Sequence, residues 1–388
     1  MQDIPFARPS IGDEEIEAVA TVLRSGWLTT GAEALAFEKE FASFIGVRHA
    51  LAVNSATAGL HLSLEATGVS PGTAVIVPSL TFTATAEVVR YLGAEVVFAD
   101  ILPDRLLLDP EDTARRAAAA SKAGRPVAAI VPVHLAGEVC AIEPFREIAR
   151  EHGAAIIEDA AHAFPSRTSA GYAGTLGTAG VFSFYANKTI TTGEGGMVCT
   201  GDDALAGRIR TMRTHGIDRD AWDRYRSDLG GWYYQVVAPG FKYNMPDTAA
   251  AIGRVQLKRA ESFLRRRRDA AEYYRVILTP LEERELITLP RGSTEHAWHL
   301  YVVRTSPSID RDRVIRRLAQ AGIGASVHYI PLHRMPYWSG RYGVTDKDLP
   351  RTAETADRVI SLPMFPALTR SEQDRIAEVL ESALREGS

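Results

Sequence analysis

Residues 157–198 read IEDAAHAFPSRTSAGYAGTLGTAGVFSFYANKTITTGEGGMV. In this stretch Asp159 directly follows one apolar run, and Lys188 lies 29 positions further on, just past the next. Short β-branched runs that end in polar residues are typical of strands in an α/β sheet, where ligands bind at the carboxyl ends. We therefore expect both side chains at one edge of a sheet.

The alternation of strands and helices extends on both sides of this stretch. Segments with helical apolar spacing lie between several of the predicted strands, an order that is typical of a mostly parallel sheet covered by helices. The predicted strands are Leu51–Val53, Ala74–Val77, Glu95–Ala99, Val127–Val133, Ala154–Glu158, Gly180–Tyr185 and Gly196–Thr200. The pattern predicts a large three-layer α/β/α domain over residues 1–249.

The pattern changes from about residue 250 onward. The expected elements there are one or two long helices over Thr248–Leu278, a strand Leu300–Thr305, a helix Arg311–Ala321, a strand Ala325–His328 and a terminal helix Ser371–Arg385. They predict a smaller α+β C-terminal domain over residues 250–388.

The composition excludes several classes of protein. The 388 residues are 46% hydrophobic and 24% charged, and 44 basic against 48 acidic residues give a net charge of −4. This balance does not favour a nucleic-acid or anionic-membrane partner. The N-terminus MQDIPFARPS lacks the layout of a signal peptide, and no apolar run approaches the roughly 18 residues of a membrane span. We expect a cytoplasmic protein.

Cysteines and charge runs give little indication of function. Cys140 and Cys199 form neither a disulfide framework nor a cluster with metal-ligand spacing, so no metal is expected and both are interpreted as buried apolar side chains. The run Arg265–Arg268 is interpreted as the solvated face of a helix.

Lys188 and Asp159 together indicate cofactor chemistry. A lysine among small and hydroxyl residues is typical of a partly desolvated amine that reaches its neutral, nucleophilic form. A lysine that forms a Schiff base with pyridoxal phosphate needs a carboxylate on the pyridine nitrogen of the cofactor. Asp159 has the required chemistry and the expected location.

A phosphate site is predicted where Asn54-Ser55-Ala56-Thr57 follows a strand and opens a helix. Amide groups at the start of a helix, together with two hydroxyls, suit an anion. Ser183 adds a hydroxyl at the same sheet edge, and Phe82, in a loop after a strand, is a candidate to stack on a cofactor ring.

Motifs along nearly the whole chain, from about Arg8 to Pro366, resemble those of one family. In order they are RPSIGDEEIEAVATVLRSGWLTTG (8–31), AVNSATAGLHLSL (52–64), VPSLTFTAT (77–85), IEDAAHA (157–163), GVFSFYANKTITTGEGGMV (180–198), RTHG (213–216), FKYNMPD (241–247) and SVHYIPLH (326–333). They are similar to the motifs of the DegT/DnrJ/EryC1/StrS family of pyridoxal-phosphate sugar aminotransferases.

The resemblance implies a fold-type-I, aspartate-aminotransferase-like enzyme that works as a homodimer with active sites at the subunit interface. Pyridoxamine phosphate is the implied intermediate form of its cofactor. Lys188 then matches the Schiff-base lysine and Asp159 the partner of the pyridine nitrogen. The implied phosphate contacts are Ser55, Ala56, Thr57 and Ser183, with Asn244 reaching the phosphate from the neighbouring subunit. Phe82 matches the aromatic residue on the ring face.

Two residues depart from the usual family pattern. Ala56 stands where the phosphate loop usually has glycine, which narrows the backbone freedom but leaves the amide donor. His162 stands where many members carry glutamine, and it would contact the 3′-oxygen or the phosphate of the cofactor. Histidine here resembles a subgroup that aminates C4 of nucleotide-linked 4-ketosugars, including 6-deoxy sugars.

The resemblance also suggests where the substrates bind. His328 and Tyr329 match segments near the sugar, as do Trp27, Thr30 and Gly31 of the loop Trp27–Gly31. Arg213 and His215 of RTHG fall in a comparable region, and Tyr233 and Tyr234 lie in a segment that could line a nucleotide site. L-Glutamate is the implied amino donor, although the sequence offers no obvious arginine for its α-carboxylate.

Three alternatives remain open at this point. The acceptor could be a 3-ketosugar or a keto-cyclitol. A sugar 3-dehydratase would share the fold, but those members carry histidine in place of the Schiff-base lysine, whereas this chain has Lys188. A non-enzymatic binding protein is disfavoured by the intact Lys/Asp/Ser set. The sequence identifies neither the nucleotide nor the sugar and its stereochemistry.

Overall fold

The computed structural model describes residues 3–218, 234–292 and 296–386. Its central feature is a seven-stranded sheet, formed by β1 (His49–Val53), β2 (Ala74–Pro78), β3 (Glu95–Ala99), β4 (Val127–Ile130), β5 (Ala155–Asp159), β8 (Ala179–Ser183) and β9 (Gly196–Thr200). The order is β1-β9-β8-β5-β4-β2-β3. All neighbours are parallel except β9, which runs antiparallel to both β1 and β8. The mostly parallel sheet expected from the sequence is confirmed, and the short hairpin β6 (Arg167–Thr168) and β7 (Gly171–Tyr172) lies beside it.

Helices cover both faces of the sheet, because alternate residues of its buried strands face opposite sides. On β2, Val75 and Val77 belong to one apolar cluster, and Ala74 and Ile76 to another. The helices up to residue 212 are α1 (Asp13–Ser25), α2 (Ala32–Ile45), α3 (Ala56–Ala66), α4 (Ala84–Tyr91), α5 (Pro110–Lys122), α6 (Glu143–His152) and α7 (Asp203–Met212). The three-layer α/β/α architecture is therefore confirmed.

A single 37-residue helix, α8 (Asp247–Glu283), replaces the one or two helices expected from residue 248. After it come β10 (Ile287–Thr288), β11 (Tyr301–Thr305), α9 (Arg311–Gln320), α10 (Pro336–Tyr342), α11 (Pro350–Ala356), β12 (Val359–Leu362) and α12 (Arg370–Glu386). The strands form an antiparallel sheet in the order β10-β11-β12. The smaller α+β part is confirmed, and the boundary at residues 249/250, which lies in the first turn of α8, stays a prediction.

Two expectations for the C-terminal part were wrong. Ala325–His328 is not a strand, since only Ser326 bridges to the sheet, at Ser361, and the partner of β11 is β12. The run Arg265–Arg268 is not a uniform solvated face, because Arg265 and Arg266 are exposed whereas Arg267 is buried. Arg267 lies on the buried side of the helix, four residues after Phe263 and three before Ala270, which are buried too.

Several expectations about the sequence ends and cysteines can be compared with the structure. Helix α1 starts after Gly12 and ends at Gly26, which has the left-handed conformation. Cys140 and Cys199 are buried and free, as expected. Within the described ranges, no helix combines the length and apolar character that crossing a membrane requires.

A buried carboxylate fixes the connection between β5 and β8. Glu158 is fully buried and accepts hydrogen bonds from the amides of Gly174 (2.9 Å), Leu176 (2.6 Å) and Gly177 (2.6 Å). His134 Nε2 lies 2.8 Å from the same carboxylate. The Cys140 amide donates to His134 Nδ1 at 3.0 Å, so the ring proton lies on Nε2 and is donated to Glu158.

We expect Glu158→Ala to destabilise the cofactor-free protein by about 3 kcal/mol or more, because several buried donors lose their acceptor. The measurement is urea unfolding followed by circular dichroism. Glu147→Ala, on the exposed side of α6, is the matched control and should change the free energy of unfolding by less than about 0.5 kcal/mol. Equal unfolding midpoints for the two variants would contradict this account of the connection.

Candidate active site

The two neighbouring strands β5 and β8 bring Asp159 and Lys188 to one cavity. The strands are parallel, with Asp159 opposite Val181, and β5 ends at Asp159. A turn after β8, closed by the Lys188 amide on the Tyr185 carbonyl (3.0 Å), places Lys188 at the same edge. Both side chains line a cavity of about 480 Å³, as the position of the two residues after predicted strands suggested.

Ten of the residues named from the sequence line this cavity. They are Ser55, Ala56, Thr57, Phe82, Asp159, His162, Ser183, Lys188, His328 and Tyr329. They come from five separate segments of the chain, so the fold assembles a site that the sequence leaves dispersed.

The start of α3 forms one end of the cavity. Ser55 caps the helix, and its hydroxyl oxygen accepts from the Ala58 amide at 3.1 Å. Ala56 is the first helical residue and has no positive φ, so its methyl group causes no backbone strain where the family pattern has glycine. Amide donors at a helix start and the hydroxyls of Ser55, Thr57 and Ser183 make this end of the cavity suitable for a phosphate.

Asp159 is 5% exposed and is held by two donors. The Thr85 hydroxyl donates to Oδ2 at 2.8 Å, and the Ala161 amide donates to Oδ1 at 3.1 Å. Burial raises the pKa of Asp159, whereas these two hydrogen bonds and the charge of Lys188 act in the opposite direction. A ring N–H bound beside the carboxylate would favour its ionised form further.

Lys188 has the properties of an amine that can lose its proton near neutral pH. Burial lowers the pKa of Lys188 to about 7, and the charge of Arg267 acts in the same direction. The carboxylate of Asp159 opposes both effects. A large fraction of the lysine is therefore nucleophilic at neutral pH.

His162 and Tyr329 form a neutral hydrogen-bonded pair on the cavity wall. The Ala136 amide donates to His162 Nδ1 at 3.3 Å, and His162 Nε2 lies 3.1 Å from the Tyr329 hydroxyl. Burial lowers the pKa of His162 well below its usual value, and Lys188 and His328 act in the same direction. The neutral ring donates from Nε2, which leaves the Tyr329 O–H as a donor for a ligand.

His328 and Phe82 line the cavity at very different depths. His328 Nδ1 lies 2.8 Å from the Ser361 hydroxyl, and burial lowers the pKa of His328 to about 4. Phe82 is 56% exposed, and its ring centroid lies 5.9 Å from that of Tyr329. Phe82 therefore belongs to the open rim of the site rather than to the protein core.

Four of the named residues, Trp27, Thr30, Gly31 and Asn244, do not line the cavity of their own chain and contact one another instead. Asn244 Nδ2 donates to the Thr30 hydroxyl at 2.6 Å, and Trp27 Nε1 donates to the Thr30 carbonyl at 3.2 Å. The Gly31 amide donates to Asp247 at 2.7 Å. These residues form a second cluster, here called the 27–31/244 cluster.

Sequence reasoning missed some residues and placed others wrongly. Tyr185, Asn187 and Glu194 also line the cavity, and the buried Asn187 Oδ1 finds no hydrogen-bond partner among the residues that the structure describes. The position of Asn187, directly before Lys188, was a signal that could have identified it. Arg213, in contrast, is buried and pairs with Glu38, so it stabilises the fold and does not line the cavity.

Tyr233 lies outside the described residues, and Tyr234 is exposed. Across the described ranges, no group of three or more histidine, cysteine or acidic residues is arranged to hold a metal ion.

The residues present fit pyridoxal phosphate. A phosphate matches the amides and hydroxyls at the start of α3, and the pyridine nitrogen matches the buried carboxylate of Asp159. The aldehyde carbon matches the amine of Lys188, whose pKa is low enough for attack. Gly196 packs so closely on the loop at Ser55 and Ala56 that a Cβ there would lie 2.7 Å from the Ala56 amide nitrogen.

Comparisons with known proteins agree with this fit. The sequence profile of the DegT/DnrJ/EryC1/StrS aminotransferase family matches residues 9–381. The chain is 40% identical over 387 residues to the spore coat polysaccharide biosynthesis protein SpsC of Bacillus subtilis (strain 168), covering 98% of this chain and 97% of SpsC.

Solved structures show the same similarity. Spr1654 from Streptococcus pneumoniae, described as a proposed sugar aminotransferase and solved in its PMP form, superimposes with a TM-score of 0.91 at 30% identity, covering 100% of both chains. Its PLP form superimposes with a TM-score of 0.89 at 29% identity, again over 100% of both chains. DesI, solved in the presence of its TDP-sugar product, gives a TM-score of 0.86 at 33% identity, covering 100% of this chain and 94% of DesI.

We expect Gly196→Ala to weaken binding of pyridoxal phosphate at least about tenfold, because the added methyl group would push the loop at Ser55 and Ala56 out of position. Equilibrium titration of the cofactor-free protein by absorbance measures the effect. Gly201→Ala is the matched control, since a Cβ at Gly201 meets no atom within 4 Å. Unchanged affinity in folded Gly196→Ala would show that this loop does not hold the phosphate.

Proposed function

Because the chain belongs to the DegT/DnrJ/EryC1/StrS aminotransferase family and is a pyridoxal-phosphate-dependent sugar aminotransferase, we propose that it moves the amino group of L-glutamate to C4 of a nucleotide-linked 4-ketosugar. The observation that carries the proposal is the pairing of Lys188 with Asp159 in one cavity whose far end is the amide-lined start of α3. The nucleotide-linked acceptor is supported by the similarity to DesI, which was solved with its TDP-sugar product.

In this mechanism Asp159 and the start of α3 hold the cofactor, which supplies the electron sink when bound. Ser55, Thr57 and Ser183 orient the phosphate. The buried carboxylate of Asp159 keeps the pyridine nitrogen protonated. Thr85 and Ala161 fix both oxygens of this carboxylate, so its orientation is set before any ligand enters.

Lys188 moves the protons of both half-reactions. Its low pKa provides a neutral amine near pH 7, and Nζ takes the proton from Cα of the donor in the first half-reaction. In the second half-reaction, Nζ delivers a proton to the former keto carbon of the sugar. One side chain serves both substrates in turn, because donor and acceptor react at the same place.

His162, Tyr329 and His328 are proposed to orient the ligands without changing charge. The pKa of His162 and the pKa of His328 lie well below neutrality, so both rings act through hydrogen bonds rather than as cations. The Tyr329 O–H remains available to a sugar or cofactor oxygen. His162 would reach the 3′-oxygen or phosphate of the cofactor by sharing its Nε2 proton, which it now donates to Tyr329.

The choice of C4 depends on the resemblance of EDAAHA, with His162, to the C4 subgroup. Amination at C3 of a ketosugar or of a keto-cyclitol uses the same groups and is the alternative. Sugar dehydration is disfavoured by Lys188. Among the described residues that line the cavity there is no arginine, so the glutamate donor is proposed on the family resemblance alone.

We also propose a homodimer in which the 27–31/244 cluster completes the cavity of the second subunit. The cluster lies outside the cavity of its own chain, and exposed apolar side chains lie next to it, Leu28 at 49% and Leu35 at 39% exposure. Apolar surface around polar groups is typical of a site that a second protein covers. Asn244 would then reach the phosphate of its partner's cofactor.

The aminotransferase proposal is tested by adding L-glutamate to the protein loaded with pyridoxal phosphate. We expect the absorbance of the pyridoxal form to change to that of the pyridoxamine form, with about one 2-oxoglutarate released per subunit. Lys188→Ala should abolish the change, whereas Lys122→Ala, at an exposed lysine of α5, should not. If glutamate leaves the spectrum of the wild type untouched, the donor is wrong.

The acceptor is identified in the second half of the same experiment. The pyridoxamine form is mixed with nucleotide-linked 4-keto and 3-keto sugars, and the products are assigned by NMR. Amination at C4 supports the proposal, and amination at C3 alone contradicts it. A deoxygenated sugar without an amine would indicate a dehydratase.

The shared site predicts complementation between two variants. Lys188→Ala should be inactive and Asn244→Ala strongly impaired, yet reassociated mixtures in equal amounts should recover about a quarter of the wild-type activity, because half of the dimers carry one intact site. Native mass spectrometry verifies that hybrid dimers form. Hybrids that form but stay inactive would show that Asn244 acts within its own chain or not at all.

A further inference from the structure

Arg267 is an unusual residue of α8, because it is 2% exposed and has no carboxylate partner among the described residues. Its Nη1 donates to three backbone carbonyls, those of Trp298 (3.0 Å), His299 (3.3 Å) and Met364 (3.1 Å). Its buried Nε has no hydrogen-bond partner in the described part of the chain. A buried cation without a counter-ion is costly, and carbonyl dipoles offset only part of this cost. The fold thus holds an uncompensated positive charge at a defined place.

This place lies directly behind the wall of the active site. The carbonyl of His299 accepts from Arg267, and the His299 ring centroid lies 4.3 Å from that of His162. His162 lines the cavity together with Lys188, whereas Arg267 does not line it. Arg267 is therefore separated from the lysine by one layer of neutral imidazoles and does not contact the substrate.

We propose that Arg267 is a positioning residue for the lysine chemistry: its buried charge, behind the wall that His299 and His162 form, adds to burial in favouring the neutral form of Lys188 that attacks carbonyl carbon. The inference depends on the proposed role of Lys188. A neighbouring cation in a site of low polarity is one of the known ways in which proteins activate a lysine.

Among the described groups that surround Lys188, Arg267 is the cation that adds to the effect of burial. The titratable groups around the lysine are Asp159 at the end of β5, His162 in the following turn, Tyr185 and Glu194 between β8 and β9, His299 before β11, His328 and Tyr329 after α9, and Arg267 on α8. Burial lowers the pKa of each of the three histidines and raises the pKa of Tyr329, so these four groups are uncharged at pH 7. Asp159 favours the protonated lysine, and Arg267 opposes it.

The test measures the protonation of Lys188 directly in the cofactor-free protein. The protein is labelled with a trace of acetic anhydride at a series of pH values. Peptide mass spectrometry then gives the labelling rate of each lysine. Because only a neutral amine reacts, this rate reports the fraction of each lysine that is unprotonated. The exposed Lys122 serves as the internal reference. In the wild type, we expect the labelling of Lys188 to rise through a midpoint of about pH 7.

Removing the charge should move this midpoint to higher pH, because the protonated lysine is no longer repelled. For Arg267→Gln we expect labelling of Lys188 at pH 7 to fall roughly threefold to tenfold. Arg267→Lys keeps a charge at this position and should stay within about twofold of the wild type. Arg265→Gln removes an exposed charge two residues away on the same helix. It should leave the labelling of Lys188 at pH 7 unchanged.

Three results would overturn the inference. They are a wild-type midpoint near that of Lys122, an unchanged midpoint in folded Arg267→Gln, and a midpoint in Arg267→Lys raised as far as in Arg267→Gln. If circular dichroism shows that Arg267→Gln does not fold, the inference is judged on two measurements. They are the midpoint of Lys188 labelling in the wild type and the midpoint in Arg267→Lys.

A separate measurement tests the role of Lys188 independently of the role of Arg267. Borohydride reduction of the protein loaded with pyridoxal phosphate should attach the cofactor to Lys188 in the wild type and in every Arg267 variant. Attachment at another residue would contradict the proposed function. Attachment at Lys188 with identical labelling profiles would contradict only the inference about Arg267.

Discussion

The parallel pairing of β5 with β8 determines the geometry of the active site, and a carboxylate that never meets the ligand stabilises that pairing. Asp159 and Glu158 are consecutive residues of one strand and therefore face opposite sides of the sheet. Asp159 faces the cavity, whereas Glu158 anchors the connection to β8 through His134 and the amides between residues 174 and 177. A shift of this connection would move Lys188 relative to Asp159, so the reactive pair depends on the buried neighbour.

The groups suited to bind a phosphate in this cavity are uncharged, whereas the group suited to react, Lys188, is one that titrates. The phosphate end offers helix amides and hydroxyls rather than cations, and among the described lining residues Lys188 is the only lysine or arginine. A bound phosphate therefore forms no ion pair with a second basic side chain on the wall. The imidazoles of His162 and His328 are neutral at pH 7 because burial lowers the pKa of each ring. The lysine is thus the one lining cation that titrates near neutral pH, and its proton is available for chemistry.

The sequence could predict those parts of the site that depend on local order. Asp159, Lys188 and Ser55 follow predicted strands, and the ends of parallel strands meet at one edge, so their proximity required no knowledge of distant packing. Arg267 could not be identified in this way, since its burial depends on how α8 packs against the segments at residues 298–299 and 364. The error at Ala325–His328 has a similar cause: β12 pairs with β11, and the local apolar pattern cannot show which segment will do so.

The depth of the lining residues explains why the reaction class is easier to infer than the acceptor. The floor of the cavity is built from buried groups, Asp159 at 5% and His162 at 7% exposure, whose hydrogen bonds leave them few alternative orientations. The rim is open and apolar, with Phe82 at 56% and Tyr185 at 48% exposure. Groups with fixed orientation select a cofactor and a chemistry, whereas exposed rings accept many flat or apolar surfaces. We therefore expect the rim, which the proposed second subunit would complete, to contribute to the choice between C4 and C3 together with His162 on the floor.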